Sequence, residues 1–537
     1  MAEALIRALR GAVAEIPFDW LRERRWFSSK GQTLESLGVA DWGVLPLEQP
    51  AIMALVVARY ARGGEQQYLL PLIASREPQA GAQVPAATTF TDSGTTWYVH
   101  DAFQFSGFQR LLMELLIGGG ELPLQRGRMV FAPSHALRQS PPPLEQIRLV
   151  AAEQSNTSVI YDRKAILKCF RRVVAGLNPD VEVSAFLTMR AGFRHTPGSL
   201  GSIAYFDEKN VEHSVGLLQE FVPNQGDAWD HTLGKLAEFL FAARQAGAAP
   251  NNVPAETQRL AQSQLAEMQQ LGMLTAELHL SLASDEQDPA FAPRPLLPEH
   301  IAQWQLSIRR QSEAILDDLA LRAGGLPTQQ QQAVQALLAA RACIERRIVD
   351  LSALLHSDLE LTRFHGDYHL GQVLVTDHGF LILDFEGEPM RSLDERRAHS
   401  SPLKDVAGML RSLSYAGYSA LLAADAVDAD AVDSDAANRN GMAVHGAAPS
   451  DNPAPSDWVS AWEQNARDRF LNGYLQAAGG ARFLPQEDET LHCAIAVFEL
   501  EKALYELKYE LNNRPGWLLI PLQGILRTIE ARCSGGR

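Results

Sequence analysis

The hydrophobic period of this chain changes once, near Gly226, and that change limits what it can fold into. Up to Pro223 the apolar residues come in short runs broken by turn residues. "AIMALVVARYAR", "QQYLLPLIAS" and "TTWYVHDA" in the first hundred residues read as strands. From Ile147, "IRLVAAEQSNTSVIYDRKAILKCFRRV" reads strand, turn, strand, turn, strand, and "GSIAYF" and "SVGLLQEFV" add two more. Between these blocks lie a helix, "FQRLLMELLIGGG", and a turn-rich passage, "RQSPPPLEQ", that looks like a boundary. A second helix, "NPDVEVSAFLTMRAG", has Asn178 to cap it and Pro179 in its first turn. Beyond Gly226 the spacing is helical for roughly 130 residues, as in "TQRLAQSQLAEMQQLGMLTAELHLSLAS". The expectation is an α+β protein, β-rich first and helical second.

One stretch interrupts the helical part. "RFHGDYHLGQVLVTDHGFLILDFEGEP" places two apolar strands, "QVLV" and "FLILD", around the turn "TDHG". Asp367 precedes the first strand, Gln372 opens it and Asp384 ends the second, so the ends away from the turn lie side by side. Two carboxylates and a carboxamide oxygen there make a hard, oxygen-rich site suited to Mg²⁺, which keeps open positions for phosphates. His365 is expected to be a structural hydrogen-bonding residue, His279 to pack between helices, and Asp405 to cap a helix and anchor the loop.

These motifs carry a resemblance. "HGDYHLGQ" followed by "LDFEG" is similar to the catalytic and metal motifs of the aminoglycoside-phosphotransferase-like enzymes of protein-kinase fold. The resemblance implies a bilobal kinase fold, with a β-rich N-lobe and a helical C-lobe. It gives Asp367 the place of the catalytic base and Gln372 and Asp384 those of metal ligands. Gln372 departs from the usual Asn, and Glu386 replaces the glycine of the Asp-Phe-Gly triplet, as a further ligand or a substrate contact. ATP and Mg²⁺ are the implied cofactors. Lys168, paired with the helical Glu182, is expected to hold the α/β-phosphates. Ser155, Asn156, Thr157 and Ser158 would supply a phosphate-covering turn, and Gln219, Glu220, Phe221 and Val222 the adenine contact.

Three distant segments narrow the resemblance to bacterial maltokinases: "LRERRWFSSKGQ", "DFEGEPMRSLDERRAHSSPLKDVAGMLRSLSYA" and "FELEKALYELKYELNNRPGWLLIPLQGI". It implies phosphorylation of maltose at its anomeric hydroxyl, with the product feeding α-glucan synthesis and trehalose synthase as an associated enzyme. It also implies a cap domain over residues 1–105, an intermediate segment and N-lobe over 106–222, and a helical C-lobe over 223–537. On the last segment Lys502, Tyr505, Glu506, Tyr509 and Asn513 recur at helical steps. With Arg514 beyond them and His369 from the hairpin loop, they are the expected sugar contacts. The rival readings are a kinase for another sugar such as glucosamine, and a silent nucleotide-binding scaffold for trehalose synthase.

Composition excludes other classes. With 537 residues, 46% hydrophobic and 21% charged, the chain is globular, and a net charge of −16 without a basic stripe argues against nucleic acid. The cysteines show no paired spacing, and no apolar run reaches membrane-spanning length, so a cytoplasmic protein with reduced thiols is expected. Residues 425–456, rich in Ala and Asp and then Pro and Ser, read as a mobile insertion.

Overall fold

The computed structural model describes residues 2–27, 29–78, 86–150, 156–246, 255–438 and 455–533. The chain forms two compact units, residues 1–223 and 224–537.

The first unit holds two antiparallel sheets. The strand Ala51–Tyr60 shows how the period-2 pattern builds it. Its Ala51, Met53 and Leu55 enter one core with Phe103, Phe108 and Leu112. The alternate residues Ile52, Ala54, Val56 and Ala58 enter a second core with Leu9, Trp26 and Phe27. This first sheet is therefore covered on both faces. The expected strand "QQYLLPLIAS" is two strands, Glu65–Leu69 and Leu72–Ser75, because Pro71 cannot donate to a ladder.

The second sheet runs Gly120–Pro123, Arg128–Pro133, Ser199–Phe206, Glu212–Glu220, Ala165–Cys169, Thr157–Tyr161 and Ile147–Leu149, in that spatial order. "RQSPPPLEQ" is not a domain boundary; it connects elements of this one sheet. Phe131, Val159, Leu167 and Ile203 share the core occupied by Met53 and Phe103, so the two sheets are packed on common apolar side chains. They also exchange a strand. Arg172 and Val173, just past the Lys168 strand, pair with Tyr68 and Gln67 of the first sheet. Next to this junction Arg171 is fully buried between the rings of Trp26 and Phe103, each 4.6 Å away, and is ion-paired to Asp101.

The second unit is helical. Helices Ala255–Leu282 and Pro455–Ala478 approach so closely that a Cβ on Gly272 would lie 2.0 Å from the Phe470 carbonyl oxygen. A Cβ on Gly473 would likewise lie 2.1 Å from that of Gln269. The helix Asp488–Asn513 buries Leu500, Leu504, Leu507 and Leu511 on one side. Four of its acids face inward, Glu499, Glu501 and Glu510 buried and Glu506 half-buried, each with a cation: Glu499 with Arg467, Glu501 with Lys404, Glu506 with Arg411, and Glu510 with Arg514. Buried carboxylates of this kind need such partners. The helix that begins at Leu403 runs to Asn438, so the first part of the expected 425–456 insertion is helical. Residues 439–454 lie outside the described residues. Among the described residues no helix is long and apolar enough to cross a membrane.

Candidate active site

The expected site residues fall in both units. In the first, Asn178 caps the helix Pro179–Phe186 as its side chain accepts from the Asp180 N–H at 2.9 Å. That turn presents Asp180 to the strand lysine: Lys168 Nζ donates to Asp180 Oδ2 at 2.9 Å. Sequence reasoning named Glu182 for this role and passed over Asp180, although both lie in the same first turn. Thr157 and Ser158 are not in a turn. They begin the strand Thr157–Tyr161, where they pair with Cys169 and Lys168. Asn156 immediately precedes that strand, and Ser155 lies outside the described residues. Of the expected adenine-contacting segment, Gln219 and Glu220 close the strand Glu212–Glu220. The N–H groups of Glu220 and Phe221 donate to the Gly198 and Lys164 carbonyls, and Val222 follows them in the chain.

In the second unit the hairpin forms as the alternation predicts, with Val373 opposite Ile382 and Thr376 opposite Gly379. Both of its open ends carry acceptor residues. Gln372 closes a short turn, Leu370–Gln372, and its carbonyl accepts the Leu383 N–H at 3.0 Å. That bond sets Gln372 beside the start of the Asp384 segment. Asp384 lies two residues past the strand with φ +69°, a left-handed conformation uncommon outside glycine. Gln372, Asp384 and Glu386 are all oxygen donors, the chemistry a hard divalent cation takes.

The loop carrying Asp367 is fixed from below. Asp405, buried in the first turn of its helix, accepts the N–H groups of both His365 and Gly366 and bonds the His279 ring at 3.1 Å. His279 in turn reaches the Tyr474 hydroxyl at 3.0 Å. The buried His365 packs on Tyr368 and Phe385 and bonds the Leu383 carbonyl at 3.0 Å, tying the loop to the hairpin's far end. Gly366 has φ +85°, and a Cβ there would stand 3.3 Å from the Cα of Gly387, so this crossing of loops requires glycine.

Above this support Asp367 meets a residue of the last long helix. Lys502 Nζ donates to Asp367 Oδ1 at 3.0 Å and to Glu388 Oε1 at 2.8 Å. Arg391 Nε holds the other Glu388 oxygen at 2.7 Å and its guanidinium approaches Glu501 at 3.6 Å, while Lys404 bonds Glu501 at 2.8 Å. Burial by itself would push the Asp367 carboxyl up. The Lys502 charge, with His369 and His365 behind it, outweighs burial and holds the group below its ordinary value. Lys502 shows the reciprocal effect: burial favours its neutral form, but Asp367 and Glu388 hold it protonated. His369 is kept below its usual range, mainly by burial, and its ring accepts the Gly371 N–H at 3.1 Å.

The remaining expected sugar contacts divide. Tyr505 lies against Lys502, whose Nζ is 5.1 Å from the ring centre. Tyr509 follows Lys502 by two helical turns, about 10 Å along the axis, and is 47% exposed. Arg514 covers the rings of Tyr509 and Trp517, and Trp517 stacks on Tyr415. Glu506 is instead half-buried and held by two bonds from Arg411. Asn513 donates to its own helix, at the Tyr509 carbonyl. Sequence reasoning missed Glu388 and Arg391; "EGEPMR" offers no periodicity that singles them out.

The first unit carries a strand lysine facing a helical carboxylate and the second an aspartate loop beside a hairpin with oxygen-bearing ends, features found in phosphotransferases of the kinase fold. Residues 230–438 match the phosphotransferase enzyme family. Residues 20–104 match the maltokinase N-terminal cap domain. The chain is thus a maltokinase-like protein. A glucosamine kinase from Streptacidiphilus jiangxiensis is 24% identical over 389 residues, covering 71% of this chain and 72% of that protein. One from Mycolicibacterium smegmatis is 26% identical over 50% of this chain and 58% of its own length. Among solved structures, a glucosamine kinase in crystal form B aligns with a TM-score of 0.62 and 19% identity over 97% of this chain and 99% of that one. A glucosamine kinase in complex with glucosamine, ADP and inorganic phosphate aligns with a TM-score of 0.58, also at 19% identity, over 94% and 96%.

Proposed function

We propose that the protein transfers the γ-phosphoryl group of ATP to the anomeric hydroxyl of maltose, yielding maltose 1-phosphate. The observation that carries a kinase reading is the state of Asp367. Lys502 occupies Oδ1 and keeps the carboxylate ionised, while among the described residues Oδ2 is left open. A fixed carboxylate with one open oxygen can orient a sugar hydroxyl and accept its proton as the phosphoryl group arrives. Gln372, Asp384 and Glu386 would hold Mg²⁺, which neutralises phosphate charge when bound. Lys168, fixed by Asp180, steadies the α/β-phosphates, and the segment ending at Val222 receives the adenine. Most of the acceleration in such a reaction comes from positioning and charge, because phosphoryl transfer needs little covalent work from the protein.

Maltose as acceptor is supported by the cap-domain match and by the last turns of the helix Asp488–Asn513, from Lys502 onward. Lys502, Tyr505 and Tyr509 span two turns, about 10 Å along the axis, a length suited to two linked pyranoses. The names of the relatives favour a second reading, in which glucosamine is the acceptor. Incubating the protein with ATP, Mg²⁺ and maltose, glucose, glucosamine or trehalose, and following ADP release, separates the two. Maltose is expected to turn over fastest, with the product phosphorylated at the reducing end by ³¹P NMR. Faster turnover of glucosamine would replace the maltose reading. A sugar 1-phosphate is an activated glycosyl donor, so a glycosyl-transferring enzyme that extends an α-glucan is the class of reaction that would consume the product; trehalose synthase as an associated enzyme rests on the family resemblance.

A further inference from the structure

We propose that Lys502 determines specificity at the acceptor site, admitting neutral sugars and rejecting cationic amino sugars. This rests on the sugar-kinase reading and concerns which sugars that site accepts. Its basis is the charge pattern around Asp367, in which acids and bases alternate: Asp367, Lys502, Glu388, Arg391, Glu501 and Lys404. The set is balanced, three of each sign. Both oxygens of Glu388 are taken, one by Lys502 and one by Arg391. One oxygen of Asp367 is taken as well, and the other is needed for the reacting hydroxyl.

The next acids along the helix are no freer. Glu506 is bound through Nε and Nη2 of Arg411, and Glu510 through Nε and Nη2 of Arg514. An ammonium entering beside Asp367 would thus meet carboxylates already matched to cations, and would lie against Lys502 itself. Like charges brought together in a partly desolvated site are a strong device against a wrong ligand. A neutral sugar meets the opposite situation. Lys502 spends two of its three N–H donors on Asp367 and Glu388, and the third can serve a hydroxyl oxygen, which an ammonium cannot offer.

The size-matched pair glucose and glucosamine isolates the amino group. With ATP and Mg²⁺, kcat/KM for glucosamine is expected to fall below that for glucose by roughly tenfold or more. Lys502→Met and Lys502→Gln should narrow the ratio and Lys502→Arg should preserve it. The ratio is taken within each variant, so a general loss of activity cancels. In the unsubstituted protein, glucosamine should also inhibit maltose turnover more weakly than glucose does, a measurement that needs no substitution. Equal or better use of glucosamine, or a ratio unmoved in both neutral variants, would overturn the role of Lys502 and leave the sugar-kinase reading standing. Turnover of none of the three sugars would overturn that reading and this one with it.

Discussion

The carboxylate of Asp405 receives two consecutive backbone N–H groups, that of His365 at 2.6 Å and that of Gly366 at 2.9 Å. A single buried side chain therefore sets the path of the loop that ends in Asp367. Asp405→Ala should destabilise the protein by about 3 kcal/mol, since it strands a buried donor, a half-buried one and the His279 ring. Urea unfolding measures this. The same variant should lose kcat under conditions where it remains folded, because Asp367 is no longer held in place.

Asp367→Asn keeps the side chain's size and removes its ability to accept a proton. We expect turnover to fall by roughly 10²- to 10⁴-fold, with ATP affinity by calorimetry near that of the unsubstituted protein. Unchanged turnover would remove Asp367 from the role of base.

The sign of the Asp367 shift makes a further prediction. Its pKa in the folded protein is depressed, so its ionised form stabilises the fold above the unfolded value of about 4. That contribution disappears as pH falls through the folded value. Protonation of this base should therefore not limit kcat/KM between about pH 5 and 8. In Lys502→Met the acid limb should move upward by on the order of one pH unit. A pH–rate profile of both proteins checks it.

Arg171 is fully buried against Trp26 and Phe103, with Asp101 as its anion. Arg171→Met leaves Asp101 buried without its cation and should cost about 3–5 kcal/mol. The double variant Arg171→Met/Asp101→Leu should recover much of that loss. Chemical denaturation of the two variants separates the charge from the packing.

What was legible in each unit is what is encoded locally. The hairpin 373–382 follows from alternation and a glycine turn, and the Asn178 cap from two adjacent residues. What was illegible is what depends on distant partners. Glu506 looked like a sugar contact because its helical face is polar, but Arg411, 95 positions away in sequence, claims it. The same distance effect hid Glu388, whose meaning comes from Lys502. Asp180 was hidden differently: two acids sit in one helical turn, and only the folded backbone shows that Asp180 meets Lys168.

The two-residue strand Arg172–Val173 has a consequence for how this chain can be divided. Starting translation at residue 106 would remove the partner edge at Tyr68 and Gln67 and uncover Phe131, Val159 and Leu167. The amino-terminal hundred residues act as a co-folding half of the lysine-bearing lobe, so such a shortened polypeptide should be recovered aggregated, whereas the whole chain stays dispersed.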